Sequence, residues 1–218
     1  MNTSGAVETF ENARWDTAPQ SREFRHTAAI MLVERGPVLD IGCGDGLLLS
    51  LLKEKGIEAQ GVDLSPVAVQ RCQTAGLTAT VYDASQPLPF PDGTFECVVL
   101  LDVLEHVYDP GALLRDAARV SRNEVVVGVP NFSSLPSRIQ VMKGVVPENN
   151  RPNKGHVYWF NENVLAVIAQ EAGLQEADRR VNTFGAGKLL GGFLPRVWPN
   201  LFALSFVVKF EKQSTRTT

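Results

Sequence analysis

The stretch Val38-Leu39-Asp40-Ile41-Gly42-Cys43-Gly44-Asp45-Gly46 (residues 38–46) decides the fold. Its first four residues read as a short buried strand that runs into three glycines within five residues. Leu47–Lys55 then reads as a helix, with Leu47, Leu48, Leu51 and Leu52 on one face and Gly56 as its stop. A glycine loop between strand and helix lets the backbone turn tightly and approach a ligand closely. The helix start adds unpaired N–H groups. Alone, the loop is also compatible with a simple tight turn.

Outward from this unit the pattern repeats. Upstream, Ser21–Arg35 reads as a helix with an apolar face of Phe24, Ala28, Ile30, Met31 and Leu32, stopped by Gly36-Pro37. Downstream, Ala59–Asp63 is a second strand, and Ser65-Pro66 opens a helix that Gly76 closes. Thr78–Tyr82 and the strongly apolar Phe95–Leu101 are the third and fourth strands. A helix over Gly111–Val120 leads to a fifth strand, Glu124–Val129. Strands alternating with helices at this spacing predict a parallel, doubly wound sheet. Pro130–Asn161 is longer than an ordinary connection, which points to function or an extra helix. Asn161–Ala172 is the next helix, with Asn161 as N-cap and Gly173 after its end. Leu174–Val181 and Ala203–Lys209 are the last strands, around an apolar, glycine-rich insert, Gly185–Leu201. The whole reads as one domain, with 1–35 as an N-terminal cap and 130–160 and 182–202 as substrate-side insertions.

Three acidic positions sharpen the glycine loop. Asp63 ends the second strand, where a carboxylate can accept hydrogen bonds from both hydroxyls of a ribose. Asp83-Ala84 follows the third strand, where a carboxylate can accept from an adenine amine while a backbone N–H meets a ring nitrogen. Asp40 sits just before the first glycine. Its charge would repel a pyrophosphate and suits a ligand with a cationic amino group. The spacing Gly-x-Gly-x-Gly also departs from the dinucleotide fingerprint. Together these features favour S-adenosylmethionine over a nicotinamide or flavin dinucleotide.

A family resemblance follows. Residues 38–46 look like the first motif of class I S-adenosylmethionine-dependent methyltransferases, Gly61-Val62-Asp63-Leu64-Ser65 resembles their ribose motif, and Asp83-Ala84 their adenine motif. Residues 88–99 and Leu104-Glu105-His106-Val107 resemble the type 11 group, which includes ubiquinone-biosynthesis O-methyltransferases. Val129-Pro130-Asn131-Phe132, Arg138-Ile139-Gln140 and Gly144, with the ending Glu171-Ala172-Gly173-Leu174, resemble the MetW family of methionine biosynthesis. The resemblance implies a Rossmann-like sheet of order 3-2-1-4-5-7-6, strand 7 antiparallel, with helices on both faces. It implies S-adenosylmethionine as methyl donor and S-adenosylhomocysteine as product, held by Asp40, Gly42, Gly44, Gly46, Asp63, Leu64, Asp83, Ala84, Leu101 and Asp102. A small-molecule acceptor methylated on oxygen is the leading expectation. The alternative is a MetW-like regulatory partner of a homoserine acyltransferase.

His106, after the fourth strand, is the first candidate general base, and a helix cap or loop brace is its structural alternative. His156, with Tyr158 beside it, is the second, against a plain aromatic packing cluster. Glu105 reads as structural. Trp15 is open between closing over the cofactor and a surface anchor. Arg138, Lys143, Arg151 and Lys154 read as a solvated face, with recognition of an anionic acceptor as the other reading. In the insert, Leu189, Leu190, Phe193, Leu194 and Trp198 are open between core packing, an acceptor cover, a homodimer contact and a membrane-surface contact.

Bulk properties bound the rest. The 218 residues are 44% hydrophobic and 21% charged, which fits a globular chain and excludes a fibrous or disordered one. A net charge of −3 gives no basic surplus for nucleic acid. Cys43, Cys72 and Cys97 lack metal-ligand spacing and read as reduced, buried thiols; no metal is expected. No signal-peptide pattern and no apolar run of about 18 residues is present, so a cytoplasmic chain without a transmembrane segment is expected.

Overall fold

The computed structural model describes residues 23–84, 86–151, 154–184, 194 and 197–213. Seven strands form one sheet of order β3-β2-β1-β4-β5-β7-β6. They are β1 (Val38–Ile41), β2 (Ala59–Asp63), β3 (Ala79–Val81), β4 (Phe95–Leu101), β5 (Ser121–Pro130), β6 (Leu174–Thr183) and β7 (Ala203–Lys212). The β1–β2, β2–β3, β1–β4 and β4–β5 pairs are parallel; β7 is antiparallel to both β5 and β6. This is the strand order, and the antiparallel direction of strand 7, that the resemblance implies. The helices are α1 (Phe24–Leu32), α2 (Leu47–Glu54), α3 (Pro66–Thr74), α4 (Pro110–Val120), α5 (Leu135–Met142), α6 (Glu162–Glu171) and the short α7 (Pro199–Phe202).

Strand periodicity sorts the core into two layers. On β4, Val98 and Leu100 join a cluster with Leu113 and Leu114 of α4 and Leu165 and Ile168 of α6. The alternate residues Cys97 and Val99 join Ala28 and Leu32 of α1 and Leu48 and Leu52 of α2. β1, β5 and β7 divide the same way, with Leu39, Val127 and Val208 on one side and Val38, Val126 and Val207 on the other. Successive side chains point to opposite faces, so a strand covered on both faces reads as a continuous apolar run.

The expected caps form. Ser65 Oγ accepts from the Ala68 N–H at 3.3 Å, and Asn161 Oδ1 from the Val164 N–H at 2.9 Å. Asp109 adds an unexpected one, accepting from the Ala112 N–H at 2.8 Å.

Several boundaries differ from the sequence reading. β5 starts at Ser121, because Ser121 pairs with Phe95 across an irregularity in register. β6 and β7 run on to Thr183 and Lys212, where polar residues pair in an antiparallel ladder. α1 ends at Leu32, and Met31 is 60% exposed while His26, Ala29 and Val33 are buried. Three consecutive apolar residues cannot all face one side of a helix at 3.6 residues per turn, so the i, i+3, i+7 stripe through His26 wins. The long 130–161 connection carries the extra helix α5 and a 3₁₀ turn, Glu148–Asn150. Trp15, Leu189, Leu190 and Phe193 lie outside the described residues. Among the described residues, no helix is long and apolar enough to cross a membrane.

Candidate functional site

A cleft of about 780 Å³ opens at the C-terminal ends of β1–β4. That is the switch point where chain connections leave β1 and β4 in opposite directions, the place where open α/β sheets bind ligands. Asp40, Gly42, Asp63, Leu64, Asp83, Ala84, Leu101, Asp102 and His106 line it. Gly44, Gly46 and His156 are not among its described lining residues.

The glycines of the loop have three separate jobs. Gly42 has a φ of +71°, and a Cβ there would come within 2.5 Å of Val103 Cγ2. The Gly44 N–H donates to Asp63 Oδ2 at 2.8 Å. Gly46 is the left-handed N-cap of α2, where a Cβ would meet Leu77 at 2.6 Å and Cys72 Sγ at 2.9 Å. Asp63 is buried and also accepts from the Ser65 N–H at 2.8 Å. Its carboxylate therefore ties the glycine loop to the start of α3.

Asp40 is 3% exposed, and burial, with Asp63 nearby, pushes its carboxyl well above the usual carboxylate range. A cationic group in the cleft would relieve that cost. The three cysteines are free and buried. A hydrogen bond to Cys72, then burial, pushes the Cys43 thiol up, and burial does the same to Cys97, so neither is a ready nucleophile.

The loop after β3 is braced from α4. Arg119 Nη2 donates to the Leu88 carbonyl at 2.9 Å, and Nη1 to the Phe90 carbonyl and Asp92, each at 2.8 Å. Asp116 accepts from the Leu88 N–H, and the Tyr82 hydroxyl donates to the Pro87 carbonyl. These bonds hold the loop after β3 against the helix.

A second cavity, about 800 Å³, lies at the same end of the sheet beside β5, β6 and β7. Arg25, Asp102 and His106 line both spaces and form the seam between them. Asp102 has a φ of +55°, a left-handed conformation that Asp tolerates better than most residues. Its Oδ2 lies 2.5 Å from Arg25 Nη1, which also pairs with Glu23 at 2.8 Å.

His106 and His156, fifty residues apart in sequence, meet with ring centroids 4.9 Å apart at an interplanar angle of 80°. The backbone carbonyl of Glu105 accepts from the Val157 and Tyr158 N–H groups at 2.8 and 3.1 Å and draws the strands of chain together. His106 Nδ1 lies 3.2 Å from the Gly155 carbonyl oxygen. A carbonyl only accepts, so Nδ1 carries the hydrogen and Nε2 of the neutral ring carries the lone pair. Glu105 is 1% exposed, with Oε1 4.0 Å from His156 Nε2. Glu105, His106 and His156 offer metal-ligand atoms, all within 4.8 Å of one another. The 4.0 Å pair is wider than the roughly 3.4 Å that tetrahedral bonds of about 2.1 Å would set.

Arg25 and His26 line the cleft without having been expected to. The signal for His26 was its place on the buried stripe of α1. For Arg25 no local motif existed. Of Arg138, Lys143, Arg151 and Lys154, only Lys154 lines the second cavity among the described residues.

The magnesium protoporphyrin IX methyltransferase of Synechocystis PCC 6803, solved with bound SAH, is similar in structure, with a TM-score of 0.68 over 96% of this chain and 99% of that one at 16% identity. A Thermotoga maritima structure, described as a SAM-dependent methyltransferase and possible histamine N-methyltransferase, gives 0.64 over 97% and 96%, also at 16% identity. These likenesses carry the fold. A ubiquinone biosynthesis O-methyltransferase of Xanthomonas oryzae is 35% identical over 89 residues, which span 38% of this chain and 37% of that protein. Its Pseudomonas aeruginosa counterpart is 37% identical over 151 residues, 65% of each chain. The model of the family described as "Methionine biosynthesis protein MetW" matches residues 23–207, and the chain, with its class I methyltransferase fold, belongs to that family.

Proposed function

We propose that this protein is an S-adenosylmethionine-dependent methyltransferase that acts on a small-molecule acceptor, with oxygen as the acceptor atom. The observation that carries the reading is the convergence of Asp40, Asp63 and Asp83 on one cleft whose seam with a second cavity holds His106. The residues suit the donor: a buried Asp40 for its amino group, Asp63 at the ribose position and Asp83-Ala84 at the adenine position. Ubiquinone-pathway O-methyltransferases among the relatives support oxygen over other atoms.

S-adenosylmethionine held there would supply an electrophilic methyl group on a sulfonium, whose sulfur would keep the electron pair as the methyl passes to the acceptor oxygen. His106 Nε2 would take the proton of that oxygen. The Gly155 carbonyl holds the ring in that tautomer. Gly42, Leu101 and Val103 would position the donor, and the described residues of 130–160 that line the second cavity would frame the acceptor side. Calorimetry with S-adenosylmethionine and S-adenosylhomocysteine tests the reading; absence of binding at millimolar ligand would sink it.

A second reading, a regulatory partner of a homoserine acyltransferase, draws on the 130–160 segment. Phe132, Met142 and Trp159 are 39%, 78% and 54% exposed there. Co-purification with that enzyme, abolished by Met142→Glu, would favour it.

A further inference from the structure

The walls of the second cavity differ in kind from those of the cofactor cleft. Ser134, Ser137, Gln140, Asn149, Asn182 and Ser205 line it. Several of these groups are already oriented. Ser134 Oγ and Ser137 Oγ are buried 2.9 Å apart, and Gln140 Oε1 accepts from the Glu148 N–H at 3.2 Å. A long hydrocarbon chain laid against such a wall would strip water from its part-exposed polar groups, Gln140, Asn149, Asn182 and Ser205, and return no hydrogen bond, at roughly 1–3 kcal/mol per group. A hydrophilic molecule replaces the lost water bonds instead.

Charge narrows the choice further. Lys154 is exposed, and Arg25 is engaged with Glu23 and Asp102. Glu105 and Glu148 face the same space. Beside the imidazoles of His106 and His156, an anionic acceptor would meet one exposed ammonium against two further carboxylates.

We propose that the acceptor is a small, hydrophilic, non-anionic molecule carrying hydroxyl groups and no long hydrocarbon chain, seated in the cavity beside β5, β6 and β7. This deepens the methyltransferase reading and rests on it. It sets the chain apart from relatives named for ubiquinone biosynthesis.

The test uses the full-length protein and methyl-tritiated S-adenosylmethionine. A deproteinised bacterial metabolite extract is partitioned between water and chloroform, each fraction is incubated with enzyme, and products are resolved from the donor by chromatography. The expected result is enzyme-dependent label on a water-soluble product that an anion exchanger does not retain. Ser137→Leu and Gln140→Leu should each lower that transfer about tenfold or more, with donor affinity by calorimetry unchanged. Label in the chloroform fraction, or on a product retained by the anion exchanger, overturns the acceptor class and leaves the methyltransferase reading standing. Transfer indifferent to both variants overturns the location. Donor binding with no transfer to either fraction defeats the methyltransferase reading and this inference with it.

Discussion

The two cavities share one end of one sheet and three seam residues, yet they are built by opposite means. The first cleft is assembled from strand ends: Asp40, Asp63, Asp83 and Leu101 each stand within two residues of the C-terminus of β1, β2, β3 and β4. The second cavity collects side chains from α1, the loops after β4 and β5, and the far strands β6 and β7, from Glu23 to Val207. In the first, a parallel sheet does the placing. In the second, long connections do, and the placing depends on backbone bonds such as Val157 to Glu105. The contrast teaches why a donor site can stay constant on this fold while the acceptor site varies.

The largest effect should fall on the seam. His106→Ala should lower methyl transfer by about 100-fold, as loss of a general base does. Donor affinity should stay within roughly threefold, because the residues proposed to hold the donor are the glycine loop and the strand-end carboxylates, and His106 is proposed to act on the acceptor. A tritium-transfer assay beside calorimetry reads both; a large fall in donor affinity would merge the two cavities into one functional unit and break the comparison.

Next comes Asp63→Ala. It removes the acceptor of the Gly44 and Ser65 N–H groups as well as the proposed ribose ligand. Donor affinity should fall at least about tenfold, and stability by about 1–3 kcal/mol for two buried donors left unpaired. Calorimetry and urea unfolding measure the two losses, and unchanged affinity would show that the ribose lies elsewhere.

Asp40 gives the cleft a pH dependence of its own. Its raised pKa means that the native protein holds the proton more tightly than the unfolded chain. Its contribution to stability therefore falls as pH rises from the ordinary carboxylate range through the raised value. A ligand ammonium needs the charged form, so donor affinity rises across the same window, by up to roughly tenfold per pH unit, with release of a proton. Calorimetry in two buffers of different ionisation enthalpy detects that proton, and Asp40→Asn should abolish its release.

The smallest effect belongs to the Arg25–Asp102 pair. Both side chains are about a quarter to a third exposed, 25% and 31%. Asp102→Asn keeps a residue that tolerates positive φ and removes the charge, so stability should change by less than about 1 kcal/mol. Thermal unfolding reads it, and a larger loss would make the seam a structural clamp.

Much of the cleft was legible in residues 38–101. Strand alternation, helix caps at Ser65 and Asn161, and acidic residues at strand ends are local signals, and the folded chain carries each of them. The separate duties of Gly42, Gly44 and Gly46 were not legible. They depend on Val103, Asp63 and Cys72, which reach the loop only through tertiary packing. The brace from Arg119 and Asp116 was hidden for the same reason, since α4 meets the loop after β3 only in the folded sheet.

By itself the sequence determined the layered α/β sheet, its strand order through family motifs, and the acidic residues that ring the glycine loop. Each rests on interactions between residues near in the chain or on the two-residue period of a strand. Tertiary structure alone decided that His106 faces His156, that Arg25 closes on Asp102, and that a polar chamber stands beyond the cofactor cleft. Those contacts join segments that no local propensity links. Only the packed sheet brings them within bonding distance.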